Sequence, residues 1–85
     1  MRVLYFAWLR QRVGIEAETV SPPASVATVG ALLGWLQTQS PRHAEGLKDP
    51  SVVRVAVNQE YARLHDRVSP DDEVALFPPV TGGTR

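Results

Sequence analysis

Apolar residues fall in blocks whose period changes along the chain. Val3-Leu4-Tyr5-Phe6-Ala7-Trp8 is an unbroken apolar run rich in β-formers, which reads as a strand buried on both faces. Leu9 to Val13 fits one helical turn, closed by Gly14. Ile15 to Val20 reads as a second strand, with Glu16 and Glu18 two apart and so on one solvated side. Ser21-Pro22-Pro23 cannot continue a ladder and marks a turn. Val29, Leu32, Leu33 and Leu36 then recur at helical spacing behind Thr28, a good N-cap, with Trp35 flanking the stripe. Gly30 and Gly34 each weaken that helix by roughly 1 kcal/mol relative to alanine, so it depends on tertiary packing. Ser40-Pro41 is its expected end, and Arg42 to Pro50 a polar connection with room for a short helical turn.

Val53, Val55 and Val57 alternate with Arg54 and Ala56 as in a strand, and Asn58-Gln59-Glu60 fits a hairpin turn into a return strand over Tyr61 to Leu64. Ser69-Pro70-Asp71-Asp72 is a second turn, Glu73 to Phe77 a last strand, and Pro78-Pro79 its stop. The order β-β-α-β-β-β predicts an α+β domain, one mixed sheet of four to five strands under one main helix. Residues 1–80 are expected to form the domain and residues 81–85 a mobile tail.

With 85 residues the chain has a thin core and little room for a deep active site, which favours a carrier, binding module or subunit. Nine basic residues balance nine acidic ones, so no basic excess points to nucleic acid. The absence of cysteine removes disulfides and thiolate metal sites and is compatible with a reducing cytoplasm. Val3 to Leu9 is too short to span a bilayer and lacks a signal-peptide cleavage site. These features place the expected protein in the cytoplasm, off membranes.

The candidate chemistry lies in the tail. Val74 to Thr84 carries no charge, and Gly82-Gly83 has no side chain to obstruct a narrow channel. Pro78 and Pro79 stiffen the exit from the sheet, so the tail projects and can thread into another protein's active site. A glycine carboxylate presented there is unhindered for attack on ATP. Beside that reading stands an ordinary mobile terminus.

The segment Asp71-Asp72-Glu73-Val74-Ala75-Leu76-Phe77-Pro78-Pro79-Val80-Thr81-Gly82-Gly83 resembles the C-terminus of molybdopterin synthase small subunits, a family of ubiquitin-like sulfur carriers. Val3-Leu4-Tyr5-Phe6-Ala7, Leu9-Arg10 and Val13-Gly14 resemble the same family's opening, and Ala56-Val57-Asn58-Gln59-Glu60 its hairpin. The resemblance implies a β-grasp fold and a role in molybdenum-cofactor biosynthesis. It makes Gly83 the site of adenylation and thiocarboxylation, and Gly82, Thr81, Val80 and Pro79 the inserting tail. It implies an ATP-using, ubiquitin-activating-like adenylyltransferase and a large synthase subunit as partners, the latter in a heterotetramer. Sulfur then passes to cyclic pyranopterin monophosphate. On this reading the chain binds no cofactor and is no enzyme alone but the sulfur-donating subunit. Phe77 and Tyr61 match partner-contacting positions, although Phe77 also fits a core position.

One departure matters. Thr84 and Arg85 follow Gly83, whose carboxyl group is therefore a peptide carbonyl. Removal by a protease, a cloning remnant and an inactive carrier all fit. Two other functions stay open: a sulfur carrier for thiamine, tungsten cofactor, cysteine or tRNA thiolation, and a ubiquitin-like interaction module without sulfur chemistry. Elsewhere, His43 and His65 read as surface residues lacking acidic partners at ligand spacing. Asp71-Asp72-Glu73 reads as a solvated turn, Lys48 as an ordinary surface lysine, and Tyr5, Phe6 and Trp8 as core.

Overall fold

A computed structural model describes residues 1–79. Its elements in chain order are β1 (Arg2–Tyr5), α1 (Ala7–Val13), β2 (Ala17–Thr19), α2 (Val29–Gln37), α3 (Pro41–Gly46), a 3-10 turn at Pro50–Val52, β3 (Arg54–Val57), β4 (Glu60–Ala62) and β5 (Glu73–Phe77). The five strands form one mixed sheet in the order β2-β1-β5-β3-β4. Only the central pair, β1 and β5, is parallel, with Arg2 beside Glu73 and Tyr5 beside Leu76. This is the expected α+β, β-grasp architecture, and β5 has the bounds its sequence pattern predicts.

The sheet buries one face. Val3, Tyr5, Val55, Val74 and Leu76 point into the core, at the period of two that strands impose. Val29, Leu32, Leu33 and Leu36 of α2 meet them, with Leu9 and Val13 of α1 and Leu47 joining the cluster. The α2 stripe is therefore the predicted one, and Thr28 caps it by accepting a hydrogen bond from the Ala31 amide at 3.2 Å.

Three expectations change. The apolar run Val3 to Trp8 is not one strand buried on both faces. Strand β1 stops at Tyr5, Arg2 is exposed, and the chain enters a seven-residue α1 at Ala7, whose φ is 55°. Helix α1 caps its C-terminus with Gly14 at φ 94°, as its sequence predicts. Helix α2 ends at Gln37, and Ser40-Pro41 starts α3 instead of closing α2. Proline at the first helical position and serine at the N-cap are a start signal, and Ser40 Oγ accepts from the His43 amide at 3.1 Å. The return strand is also shorter, ending at Ala62.

Helix α3 then ties back to α1. Arg42 donates from Nε to the Val13 carbonyl and from a terminal nitrogen to the Gln11 carbonyl, each at 3.2 Å, satisfying orphan carbonyls at the end of α1. A Cβ on Gly14 would lie 2.7 Å from Arg42 Nε, so Gly14 supplies room as well as its left-handed turn.

The β3–β4 hairpin turns at Asn58 and Gln59, with φ of 52° and 71°. Two left-handed residues in a two-residue loop are the geometry that matches strand twist. Asn58 tolerates it and is held from the side: its Nδ2 donates to Asp72 Oδ1 and its Oδ1 accepts from the Glu73 amide, both at 3.0 Å. Gln59 gains no such bond and bears the steric cost of a Cβ in that conformation. Gln59→Gly is expected to raise stability by about 0.5 to 1 kcal/mol, the relief exceeding the added chain entropy of glycine. Urea unfolding checks this: the midpoint should rise with an unchanged slope.

Candidate functional site

Strand β5 delivers the C-terminal segment from the middle of the sheet. Its last residue, Phe77, sits beside Arg54 of β3, and half-buried Pro78 and Pro79 follow. Pro79 is the one tail-insertion residue within the described range; Val80, Thr81, Gly82 and Gly83 lie outside it, as do Thr84 and Arg85.

The outer face of the sheet carries an apolar row. Register places Ala17, Leu4, Ala75, Ala56 and Tyr61 side by side across all five strands. The helices pack on the other face, so these side chains stay half-buried at most, and Tyr61 is 80% exposed. Tyr61 and Phe77 meet on this face with ring centroids 5.9 Å apart, a tilted aromatic pair. The structure thus brings together the two positions singled out as partner contacts. Phe77 is only half-buried, which removes the pure-core alternative.

Phe6 joins them. Its amide donates to the Leu76 carbonyl at 3.0 Å, one step past the pair of Tyr5 with Leu76, which sets it beside Phe77. Tyr5 faces the core, so extended Phe6 faces outward and is 48% exposed. The reading of Phe6 as core is therefore corrected. Period-two alternation from Val3 and Tyr5 was the signal, hidden because every residue in the run is apolar. Trp8 is partly buried against the core, under the Arg12 guanidinium at 4.6 Å, and Tyr5 is buried as expected.

A cluster of apolar side chains at the root of a Gly-Gly tail suits a protein that seats itself on a partner while its terminus reaches inside. The family model described as "ThiS family" matches residues 3–83. The chain belongs to the ThiS family. It is 42% identical over 83 residues to the molybdopterin synthase sulfur carrier subunit of Escherichia coli (strain K12), an alignment covering 98% of this chain and 99% of that one. Among solved structures, SAMP1 from Haloferax volcanii superposes with a TM-score of 0.76 at 32% identity, covering 98% of both chains. The complex of subunits 1 and 2 of molybdopterin-converting factor from Helicobacter pylori 26695 contains a chain of the same fold, with a TM-score of 0.60 at 24% identity and 96% of each chain covered.

For this ThiS-family chain the matched span takes in the whole Pro79-to-Gly83 tail and leaves Thr84 and Arg85 beyond it. Among the described residues no helix is long and apolar enough to cross a membrane. Asp72 behaves as a turn residue, its Oδ2 accepting from the Ser69 amide at 2.7 Å. Lys48 is exposed and pairs with Glu45 at 2.7 Å, and His65 is exposed beside Asp66.

His43 overturns its expectation. It is buried, and its Nε2 lies 2.7 Å from Glu18 Oε2. The Tyr5 hydroxyl donates to the same oxygen at 2.7 Å, and Ser40 Oγ lies 2.7 Å from His43 Nδ1. Glu18 is therefore not on a solvated side: register pairs it with Val3, whose side faces the core. Twenty-five residues separate His43 from Glu18, a distance no local pattern spans. The network fixes the short edge strand β2 to β1 and α3, and every buried side-chain polar atom among the described residues has a partner.

Burial, and then the hydrogen bond that the phenol donates to the Glu18 carboxylate, push the Tyr5 phenol well above its ordinary value of 10.0. A raised folded-state value means that the native protein keeps a proton the unfolded chain loses. The contribution is whole below about pH 10 and falls as pH rises further. Tyr5→Phe is expected to cost about 1 to 2 kcal/mol at neutral pH, where Glu18 loses a donor. It should also flatten the decline in stability above pH 10, which urea unfolding of both proteins across that range checks.

Proposed function

We propose that this chain is the sulfur carrier of molybdopterin synthase, acting in the cytoplasm through Gly83. The observation that carries the reading is the exposed Tyr61–Phe77 pair, with Phe6 on the same face, at the strand end that leads into Pro-Pro-Val-Thr-Gly-Gly. Relationship to the E. coli sulfur carrier subunit over nearly the whole chain supports it.

The chemistry begins with hydrolysis of the Gly83–Thr84 bond, which frees the Gly83 carboxylate. A ubiquitin-activating-like adenylyltransferase binds ATP, and the carboxylate attacks its α-phosphorus, expelling pyrophosphate. A hydrosulfide equivalent replaces AMP and leaves a thiocarboxylate. The large synthase subunit, in a heterotetramer, receives the tail and supplies the site at which sulfur passes to cyclic pyranopterin monophosphate. The chain holds no cofactor of its own. Its residues contribute rigid display: Pro78 and Pro79 restrict the exit, and glycines 82 and 83 admit the terminus to a narrow channel. The H. pylori neighbour, found in a complex of subunits 1 and 2, supports a two-protein arrangement by its fold.

A second reading follows from Thr84 and Arg85, which leave Gly83 without a free carboxylate in this chain. As a ubiquitin-like module, this chain keeps its docking face and makes no thiocarboxylate.

Intact mass spectrometry of the protein from its own host, under reducing conditions, separates these readings. A species ending at Gly83 with one oxygen replaced by sulfur is expected. Full-length chain alone, in cells that need the cofactor, overturns the sulfur-carrier reading. Separately, Tyr61→Ala removes an exposed ring with little effect on folding, and is expected to weaken binding to the large subunit by about tenfold or more, as loss of an aromatic anchor does. Titration calorimetry with the chain ending at Gly83 checks it.

A further inference from the structure

We infer that Arg54 and Arg63 make the tail-exit end of the outer face selective for a partner protein that presents carboxylates around an apolar socket. This rests on the sulfur-carrier reading, since the partner is the protein that receives the tail.

Val55 faces the core, so Arg54 faces outward, beside Phe77. Val55 pairs with Ala62, the last residue of β4, and Arg63 leaves that strand on the side of Arg54. Both arginines are exposed and both line an open cavity of about 370 Å³, together with Tyr61 and the exposed Leu64. Like charges gathered around one cavity repel each other. Nothing described offsets them: no carboxylate among the described residues lies within 4.0 Å of either guanidinium. Asp66 accepts from the Arg63 main-chain amide, and Asp49 from Ser51.

Asp72 and Glu73 open β5 and Glu60 opens β4, at the opposite end of the sheet from the tail. On the β3–β4–β5 part of this face the charge is therefore basic where the tail leaves and acidic at the other end. That field orients approach to an acidic site, and guanidinium groups beside aromatic rings bind carboxylates in a fixed plane. The uncompensated pair is thus a local cost in the lone chain that an acidic partner removes.

The test uses the chain ending at Gly83, the large subunit of molybdopterin synthase from the same organism, and association and dissociation rates across a salt series. Arg54→Glu is the informative variant. It sets a carboxylate near Arg63, so its melting temperature should rise while its affinity at low salt falls about tenfold, chiefly through slower association. Arg63→Glu should do the same, and the salt dependence should flatten in both. Arg67→Glu, on an exposed residue near the hairpin-turn end, should change the rate less than about twofold. Wild-type rates and salt dependence in both Arg54→Glu and Arg63→Glu overturn the inference while leaving the carrier reading intact. Self-association of the wild type through this face, lost in R54E, also overturns it. No binding of the wild type to the large subunit overturns the carrier reading itself, and the inference with it.

Discussion

The parallel pairing of β1 with β5 joins the two ends of the described chain at the centre of the sheet, and the rest depends on it. Val3, Tyr5, Val74 and Leu76 are buried side by side there, and the helical layer closes over them. Parallel neighbours need a long crossover, so everything from α1 to β4 lies between the two strands in sequence. The same pairing fixes what happens one residue later. Because Tyr5 lies beside Leu76, Phe6 must lie beside Phe77, at the edge where the tail leaves. Core and candidate site are consecutive residues of the same two strands.

A sheet with a single helical layer leaves its second face to solvent, and this chain fills that face with restraint. Ala17, Ala75 and Ala56 keep most of the row shallow, and the large apolar side chains on this face are Leu4, Phe6, Tyr61 and Phe77. A few aromatic anchors within small neighbours make a usable interface without a broad apolar patch that would drive aggregation. The sheet edges are handled in the same spirit, since β2 and β4 are three residues each and offer little template for unwanted pairing.

Much of this was legible where a pattern is local. The alternation at Val53 to Val57, the stripe behind Thr28 and the strand Glu73 to Phe77 each announce themselves within a few residues. Where every residue in a run is apolar the period vanishes, so Val3 to Trp8 could not show that β1 ends at Tyr5, that α1 follows, or that Phe6 turns outward. Ser40-Pro41 was ambiguous for a different reason: proline is compatible with both the end of one helix and the first residue of the next. The Tyr5–Glu18–His43 network was out of reach, because its members share only a place in the finished fold. Of the site, the Gly-Gly tail was visible as chemistry, Tyr61 and Phe77 only through family resemblance, and Phe6 through neither.

Polar anchoring and recognition are divided between the two faces of the same strands. Tyr5 points inward and is fixed by Glu18, while Phe6, the next residue, points outward. Leu76 is fully buried, and Phe77 is displayed. At the other end of the sheet, Asn58 and Asp72 bind the hairpin turn to the start of β5, so the strands are restrained away from the surface they present. An aromatic side chain whose backbone is already held by a packed neighbour loses little freedom when a partner covers it, and that freedom is part of what association costs. In a chain too small for a separate scaffold and site, strand alternation makes one residue the support of the next.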